Sequence, residues 1–392
     1  MNLRNYYDEY CAAPRLKRNE YLAKVATVGV GFSLPDAFEE VRDALIPRVR
    51  ERAYYELLSM VYEKDLAVVD SKKLPTFRPF ADHLALGVAV DLPDQISEVS
   101  GDLLEKWGVT LDEALEIGRD NLWKRSVGKW EPLAEGVWMS PWQDNLDVNR
   151  LAMPTLFRQL TVDGDPVAFA PNRDHLIVTG SRDFVGQGVA AAYANGLLDE
   201  PRPMNATPII LDGLEWKAYP FDANHPIASL FRRLEIRSFS EDYATQKSLL
   251  EERFEREERD IFVASFMAFE NTETKRLRTV ATWTETVDTL LPRVDSVVLN
   301  VSDGDEKCRA LGEAPWDRLV EVVGHRMGCT RKGIARRSSR VPTRSNDSSL
   351  RNAATDDRQF CCGQPRRAVR RAPLPELRLW RVRRVRGLGL DQ

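Results

Sequence analysis

Apolar residues along the first seventy or so positions recur at three- and four-residue spacing. YLAKVATV, AFEEVRDALI and RAYYELLSMVY each gather them on one side of a helix, with Pro35, Pro47 and Pro75 as punctuation. The pattern predicts a helical segment over residues 1–75. HLALGVAVDL changes the period: it is a short apolar run that contains Gly87 and closes in LPD, which suits a buried strand. Thr110 and Glu113 have the spacing of a capping box. They open TLDEALEIGRDNLWKR, a helix whose apolar face is Leu111, Ala114, Leu115, Gly118 and Leu122.

Farther along, GVWMSPW reads as a strand and DVNRLAMPTLFRQL as a helix with Asp147 at its N-cap. PVAFAPNRDHLIVTGSRD reads as two strands joined by a polar turn at Asn172, Arg173 and Asp174. A small-residue helix, GQGVAAAYANGLL, precedes a second strand pair, PIIL and LEWKAYPF. The order lacks a strict βαβ rhythm, so an α+β fold with a largely antiparallel sheet is expected. From Ser240 a charged helix runs through ATQKSLLEERFEREERD. The strands DIFVASFMAFE, LRTVATWTE and DSVVLNV follow it, and a helix at Trp316 closes the body with Trp316, Leu319, Val320 and Val323 on one face. The expected divisions are therefore a helical segment (1–75), an α+β domain (76–225), a smaller α+β region (226–327) and a tail (328–392).

Charge alters the reading of that tail. The chain of 392 residues carries a net −4, but residues 328–392 hold 16 Arg and 1 Lys against 5 acids, a net +12 that leaves −16 on residues 1–327. Arms that bind nucleic acid can use either base to neutralise phosphate, so the near absence of Lys points elsewhere. Arg, Ala, Pro, Gly and Ser are enriched when a GC-rich gene is read out of frame, and RRSSRVPTRSNDSSLRNAATDDRQFCCGQPRRAVRRAP has that composition with no hydrophobic period. The tail is expected to be disordered and out of frame, and no specific nucleic acid is expected as partner. No apolar run reaches 18 residues, and MNLRNYYDEYC has charges where a signal peptide needs an apolar stretch. A cytoplasmic protein without a membrane span is expected. Its five cysteines form no CxxC pair and are expected to be reduced thiols.

Four blocks, FADHLALGVAVDLPD, WGVTLDEALEIGRDNL, VWMSPWQDNLDVNRL and DGDPVAFAPNRDHLIVTGSRD, resemble in order and spacing the YtpQ-like bacterial family, a domain of unknown function. The resemblance covers about residues 76–222. It implies a cytoplasmic α+β protein and brings no catalytic residue, cofactor or substrate with it.

Most signatures of chemistry are missing. There is no GxxxxGK[ST], no GxGxxG after a strand, no HExxH and no GxSxG, and the four histidines are scattered, so no cofactor or metal is expected. Two polar groups are left at element ends. Asp144, Asp147, Asn149 and Arg150 lie where a strand gives way to a helix, and Asn172, Arg173, Asp174 and His175 occupy the hairpin turn; Asp82 and His83 precede the first strand of the domain. The foremost candidates are Asp147, Arg150, Arg173 and Asp174, with the carboxylates as base or ligand and the arginines as an anion clamp. Turn formation and capping explain the same residues without any ligand. Trp123, Trp130, Trp138 and Trp142, close in sequence, read as core aromatics. The favoured function is non-enzymatic binding, of a protein or a small anionic ligand. The alternatives are a hydrolase-type or phosphoryl-processing enzyme built on the four foremost residues, and nucleic-acid binding by the tail.

Overall fold

A computed structural model describes residues 34–65, 70–93, 95–221, 224–274, 276–302, 308–330 and 379–382. YLAKVATV lies outside the described residues, as does most of the Arg-rich tail.

Residues 37–46, expected to be helical, instead form two 3-10 turns, Phe38–Glu40 and Arg42–Ala44, that run into strand β1, Leu45–Glu51. Pro47 explains the difference. Inside a helix it would remove a hydrogen bond and clash with the preceding turn, whereas on an edge strand its missing N–H is tolerated. β1 is indeed an edge: the sheet runs β1–β3–β2, with β2 at Phe77–Phe80 and β3 at Leu84–Asp91, and β4, Ile96–Glu98, also pairs with β3. All its pairings are antiparallel. Since β1 pairs with β3 from Leu45↔Val90 to Glu51↔Leu84, one sheet spans the expected boundary at residue 75.

Helix α1, Arg52–Asp65, covers one face of this sheet, where Gly87 lies opposite Arg48. A Cβ on Gly87 would come within 2.8 Å of the Thr76 carbonyl and 3.1 Å of the Tyr55 hydroxyl, so only glycine admits that approach. After α2, Gly101–Trp107, helix α3, Leu111–Lys124, covers the other face. Thr110 and Glu113 make the expected capping box, and a Cβ on Gly118 would stand 3.0 Å from the backbone of Ile46 and Pro47. The helix rests directly on β1.

The second sheet, ordered β10–β9–β7–β8–β6–β5, is antiparallel as the sequence implied. Its strands are β5 Glu131–Ala134, β6 Val137–Met139, β7 Pro166–Asn172, β8 His175–Gly180, β9 Ile209–Asp212 and β10 Glu215–Ala218. Leu86, Leu115, Leu122, Phe157, Val178 and Trp216 belong to one core that joins both sheets. Residues 147–160 do not make the expected helix: two 3-10 segments, Val148–Ala152 and Pro154–Gln159, meet at Met153, where Pro154 interrupts the α-helical hydrogen bonding. On the far face of the second sheet, α4, Phe184–Leu197, and the start of α5, Ala228–Arg256, pack around Phe169, Ala190 and Phe231.

α5 begins a dozen residues before Ser240 and is about 43 Å long. Its later turns contribute Phe239, Tyr243, Leu250 and Phe254 to a cluster with Leu57 and Met60 of α1 and Val263 of β11, Phe262–Val263. Two further sheets complete the fold, β11–β14–β18–β17 and β12–β13–β15–β16. Their strands are β12 Met267–Glu270, β13 Leu277–Thr284, β14 Thr289–Pro292, β15 Ser296–Ser302, β16 Cys308–Pro315, β17 Met327–Thr330 and β18 Leu379–Val382. The helix expected at Trp316 is α6, Trp316–Val323. The fold is α+β, with parallel pairing at β11–β14 and β13–β15.

β18 corrects the expectation of a wholly disordered tail. It lies between β14 and β17, and its two outer residues point to opposite faces: Leu379 enters the cluster of α1 and α5, and Val382 packs near Trp283 and Trp316. An apolar residue at each end of LWRV is what a strand with both faces covered requires. Among the described residues no helix is long and apolar enough to cross a membrane.

Candidate functional site

The loop between β6 and the first 3-10 segment is built around Asp147. Gln143 and Asn145 have φ of 48° and 66°, conformations that side chains other than glycine adopt at a cost. Asp147 holds this loop by accepting the amides of Gln143 (3.3 Å) and Asp144 (3.2 Å), and Asp144 accepts that of Leu146 (3.0 Å). Asp147 stands at the expected N-cap position, now of the 3-10 segment Val148–Ala152, but its carboxylate turns back to the preceding loop and makes no cap hydrogen bond. Burial pushes its carboxyl up to about 6, against the hydrogen bond from Ser140 and the charge of Arg150.

Arg150 has no exposed surface. Its Nη1 and Nη2 donate to the two carboxylate oxygens of Asp144 at 2.9 Å each, its Nε donates to Ser126 Oγ at 2.9 Å, and Nη2 also reaches the Arg125 carbonyl at 3.3 Å. The guanidinium lies 4.0 Å from the centre of the Trp142 ring. Burial works to raise the Asp144 carboxyl, and the Arg150 pairing overrides it and holds it below the usual range. Four hydrogen bonds and a ring face occupy this arginine, which ties the end of α3 to the loop and has little left for a ligand. Trp130 completes the aromatic packing against Trp142 and Phe157. Trp138 donates to the Thr161 carbonyl, and Trp123 stays 47% exposed.

The hairpin group has a different neighbourhood. Asn172 makes the turn: its Oδ1 accepts the Asp174 amide (3.0 Å) and lies 2.8 Å from His175 Nδ1, while its Nδ2 donates to the Leu197 carbonyl. This is the local role expected of Asn in a turn. Asp174 pairs with Arg202. Arg173 has no hydrogen bond or ion pair among the described residues, and its Nε is enclosed without a partner. The charges acting on it come from Arg50, Arg48, Glu51 and Arg202.

Arg150 and Arg173 thus have separate sets of neighbours, and the four foremost candidates do not converge as one unit. Asp82 and His83 join neither set. Asp82 has a φ of 67° in the turn between β2 and β3, and His83 Nε2 is enclosed without a partner, its imidazole pushed down to about 4 by burial and by Arg52.

What surrounds Arg173 is a group of arginines that the sequence reading missed. Arg48 and Arg50 alternate with Pro47 and Val49 on β1, so both project from one face. They are 4% and 6% exposed. Both lean on a single carboxylate: Glu98 Oε1 is 3.3 Å from Arg50 Nε and 3.5 Å from Arg48 Nε, while Glu98 Oε2 and Arg48 Nε make no hydrogen bond. Arg50 also stacks 4.7 Å from the centre of the Tyr54 ring. Burial, followed by mutual repulsion, pushes Arg48 down to about 10 and Arg173 down to about 9. Both remain cations at neutral pH. Arg48 and Arg50 thus share one close carboxylate, and Arg173 beside them feels Glu51 but makes no ion pair among the described residues, an arrangement that a carboxylate or phosphate would relieve by bridging the three guanidiniums.

Alternation of Arg48 and Arg50 with apolar residues was the available signal, and the helical reading of residues 37–46 concealed it. Among the described residues no group of three His, Cys, Asp or Glu side chains is placed to hold a metal ion. No family model, curated protein or solved structure matches the chain, so the resemblance to the YtpQ-like family rests on its four sequence blocks.

Proposed function

We propose that the protein is a non-enzymatic binding protein for a small anionic ligand, held by Arg48, Arg50 and Arg173. The observation that carries this reading is Arg173: it is largely withdrawn from water, feels the repulsion of Arg48 and Arg50 ahead of the attraction of Glu51, and its enclosed Nε has no hydrogen-bond partner. Like charges at close quarters destabilise the empty fold, and an anion that neutralises them stabilises the filled one. Asp174 neutralises Arg202 instead, which leaves Arg173 for the ligand. The enzyme alternative loses its support because Asp147 and Arg150 are spent on the loop and on α3. Kinship with the YtpQ-like family is part of the same proposal.

Thermal denaturation in phosphate, sulfate or citrate, against chloride at equal ionic strength, tests it. A saturable rise in midpoint with at least one of these anions is expected. Arg173→Met and Arg48→Met should each abolish that rise, and Arg173→Met should not lower the midpoint in chloride. The proposal fails if no anion raises the wild-type midpoint, or if the rise survives in both variants.

A further inference from the structure

A cleft opens on the other face of the first sheet. Successive residues of a strand point to opposite sides, so Val49 and Leu86, which pair, face away from Arg48 and Gly87. On the Leu86 side a cleft of about 690 Å³ is bounded by the β2–β3 turn, the middle of α3, the Leu151–Thr155 stretch and the β9–β10 turn. Part of its lining, Leu86, Leu151, Met153 and Trp216, is apolar and buried. Trp216 donates its indole N–H to the Leu151 carbonyl (2.9 Å) and meets Phe157 edge-on at 4.9 Å, and Met153 is buried beside them. Its mouth holds Trp123 and Leu214, large apolar side chains that are 47% and 62% exposed. Two bulky exposed hydrophobes at one opening are a reason to look for a ligand.

Arg78 and Arg119 line the same cleft. Arg119 is anchored by its Nε to the Ala152 carbonyl (3.0 Å), so its terminal nitrogens are held in place, and Arg78 is steadied by Asp112 at 2.8 Å. Asp120 and Glu215 lie along the lining as well, and Glu215 has Lys217 at 4.0 Å. We propose that this cleft binds a small carboxylic acid with an apolar body, its carboxylate held by Arg119 and Arg78 and its body against Trp216, Met153 and Trp123. A planar fork beside an apolar wall selects this class, since Arg pairs with carboxylate through two parallel hydrogen bonds and the wall gains from burying hydrocarbon. The ligand class differs from the small anion proposed for the arginine cluster.

Calorimetric titration of the full chain with sodium octanoate, sodium 1-naphthoate and 1-octanol tests the proposal. One or both acids should bind saturably at a single site, and which of them binds identifies an aliphatic or an aromatic body. Octanol should bind at least tenfold more weakly than octanoate if the body is aliphatic. Arg119→Gln and Trp123→Ala should each weaken binding tenfold or more, while Arg173→Met leaves it unchanged. Should Arg119→Gln fail to fold, Arg78→Gln removes the neighbouring charge from an exposed side chain and should weaken binding in the same direction. The proposal is overturned if neither acid binds, if octanol equals a binding octanoate, if the cleft variants bind like the wild type, or if Arg173→Met abolishes binding.

Discussion

Asn149 accepts the backbone amide of Val49 at 3.0 Å, across one hundred residues of chain. Val49 lies between Arg48 and Arg50 on an edge strand, so its N–H has no neighbouring strand to bond. The 3-10 segment Val148–Ala152 supplies the acceptor and thereby fixes the strand that carries the two arginines. Asn149→Ala leaves that donor buried and unsatisfied, which costs about 1–3 kcal/mol. Chemical denaturation should show the loss, together with faster exchange of the Val49 amide. An unchanged exchange rate there would remove Asn149 from this role.

Arg150 gives a sharper test of the neighbouring loop. Breaking a buried ion pair by removing one partner costs roughly 3–5 kcal/mol, since the other is left uncompensated. Arg150→Met should approach that loss in urea denaturation, because Asp144 and Ser126 lose their partner together. A loss under about 1 kcal/mol, the scale of an exposed pair, would mean that the arginine is not held as described.

These two polar groups divide what the sequence could express from what it could not. Asn172 was legible as a turn residue because its Oδ1 serves Asp174 and His175, two and three residues away, whereas the bond from its Nδ2 to the Leu197 carbonyl was not. The partners of Arg150 at Ser126 and Arg125 are some 25 residues distant, and nothing local announces them. The same holds for Arg48: its partner Glu98 and its neighbour Arg173 arrive through strand pairing and the approach of two sheets. The strand at residues 45–51 was lost to a helical reading because apolar residues at three- and four-residue spacing also occur where strand and 3-10 turns meet. Pro47 was the sequence feature that should have decided for the strand. Residues 148–159 repeat the lesson at Pro154.

The Thr110 capping box was readable because both of its members are local. Thr110 Oγ1 accepts the Glu113 amide at 3.3 Å, and Glu113 returns a carboxylate to the Thr110 amide at 2.8 Å. Thr110→Ala should destabilise by about 0.5–2 kcal/mol. Denaturation midpoints of the wild type, Thr110→Ala and Thr110→Ser check it, and serine should restore most of the loss.

Asp242 on α5 makes stability depend on pH. Burial, then the charges of Glu51, Glu241 and Glu56, push its carboxyl up to about 8. The folded state therefore holds this proton more tightly than the unfolded chain, whose aspartates titrate near 3.9. The stabilisation is complete below the unfolded value and is lost as pH rises through about 8. Asp147, pushed up to about 6, acts with the same sign over a lower window. Asp242→Asn, which mimics the protonated form, should match the wild type near pH 4 and melt at a higher temperature at pH 9. Parallel melting curves for the two proteins across that range would refute the shifted carboxyl.

β18 makes a claim about the Arg-rich tail that composition could not make. A segment never selected to pack should be removable without loss, yet Leu379 and Val382 are 3% and 0% exposed and enter two different clusters. Burying a Leu or Val side chain stabilises by roughly 1.5–3 kcal/mol, so the pair amounts to about 3–6 kcal/mol before strand pairing is counted. Removing β18 also leaves β17 without the strand it pairs with and exposes the edge of β14. A chain ending at Thr330 should therefore melt well below the full chain. Val382→Asp in the full chain should reproduce most of that loss, since Val382 packs in the cluster of Trp283, Leu291 and Trp316. Arg383→Ala and Arg384→Ala change the tail's charge beyond β18 and should leave the midpoint in place. If truncation and Val382→Asp both melt like the full chain, the strand contributes nothing and the tail is dispensable; if only truncation lowers the midpoint, the stabilising part of the tail lies elsewhere than at Val382.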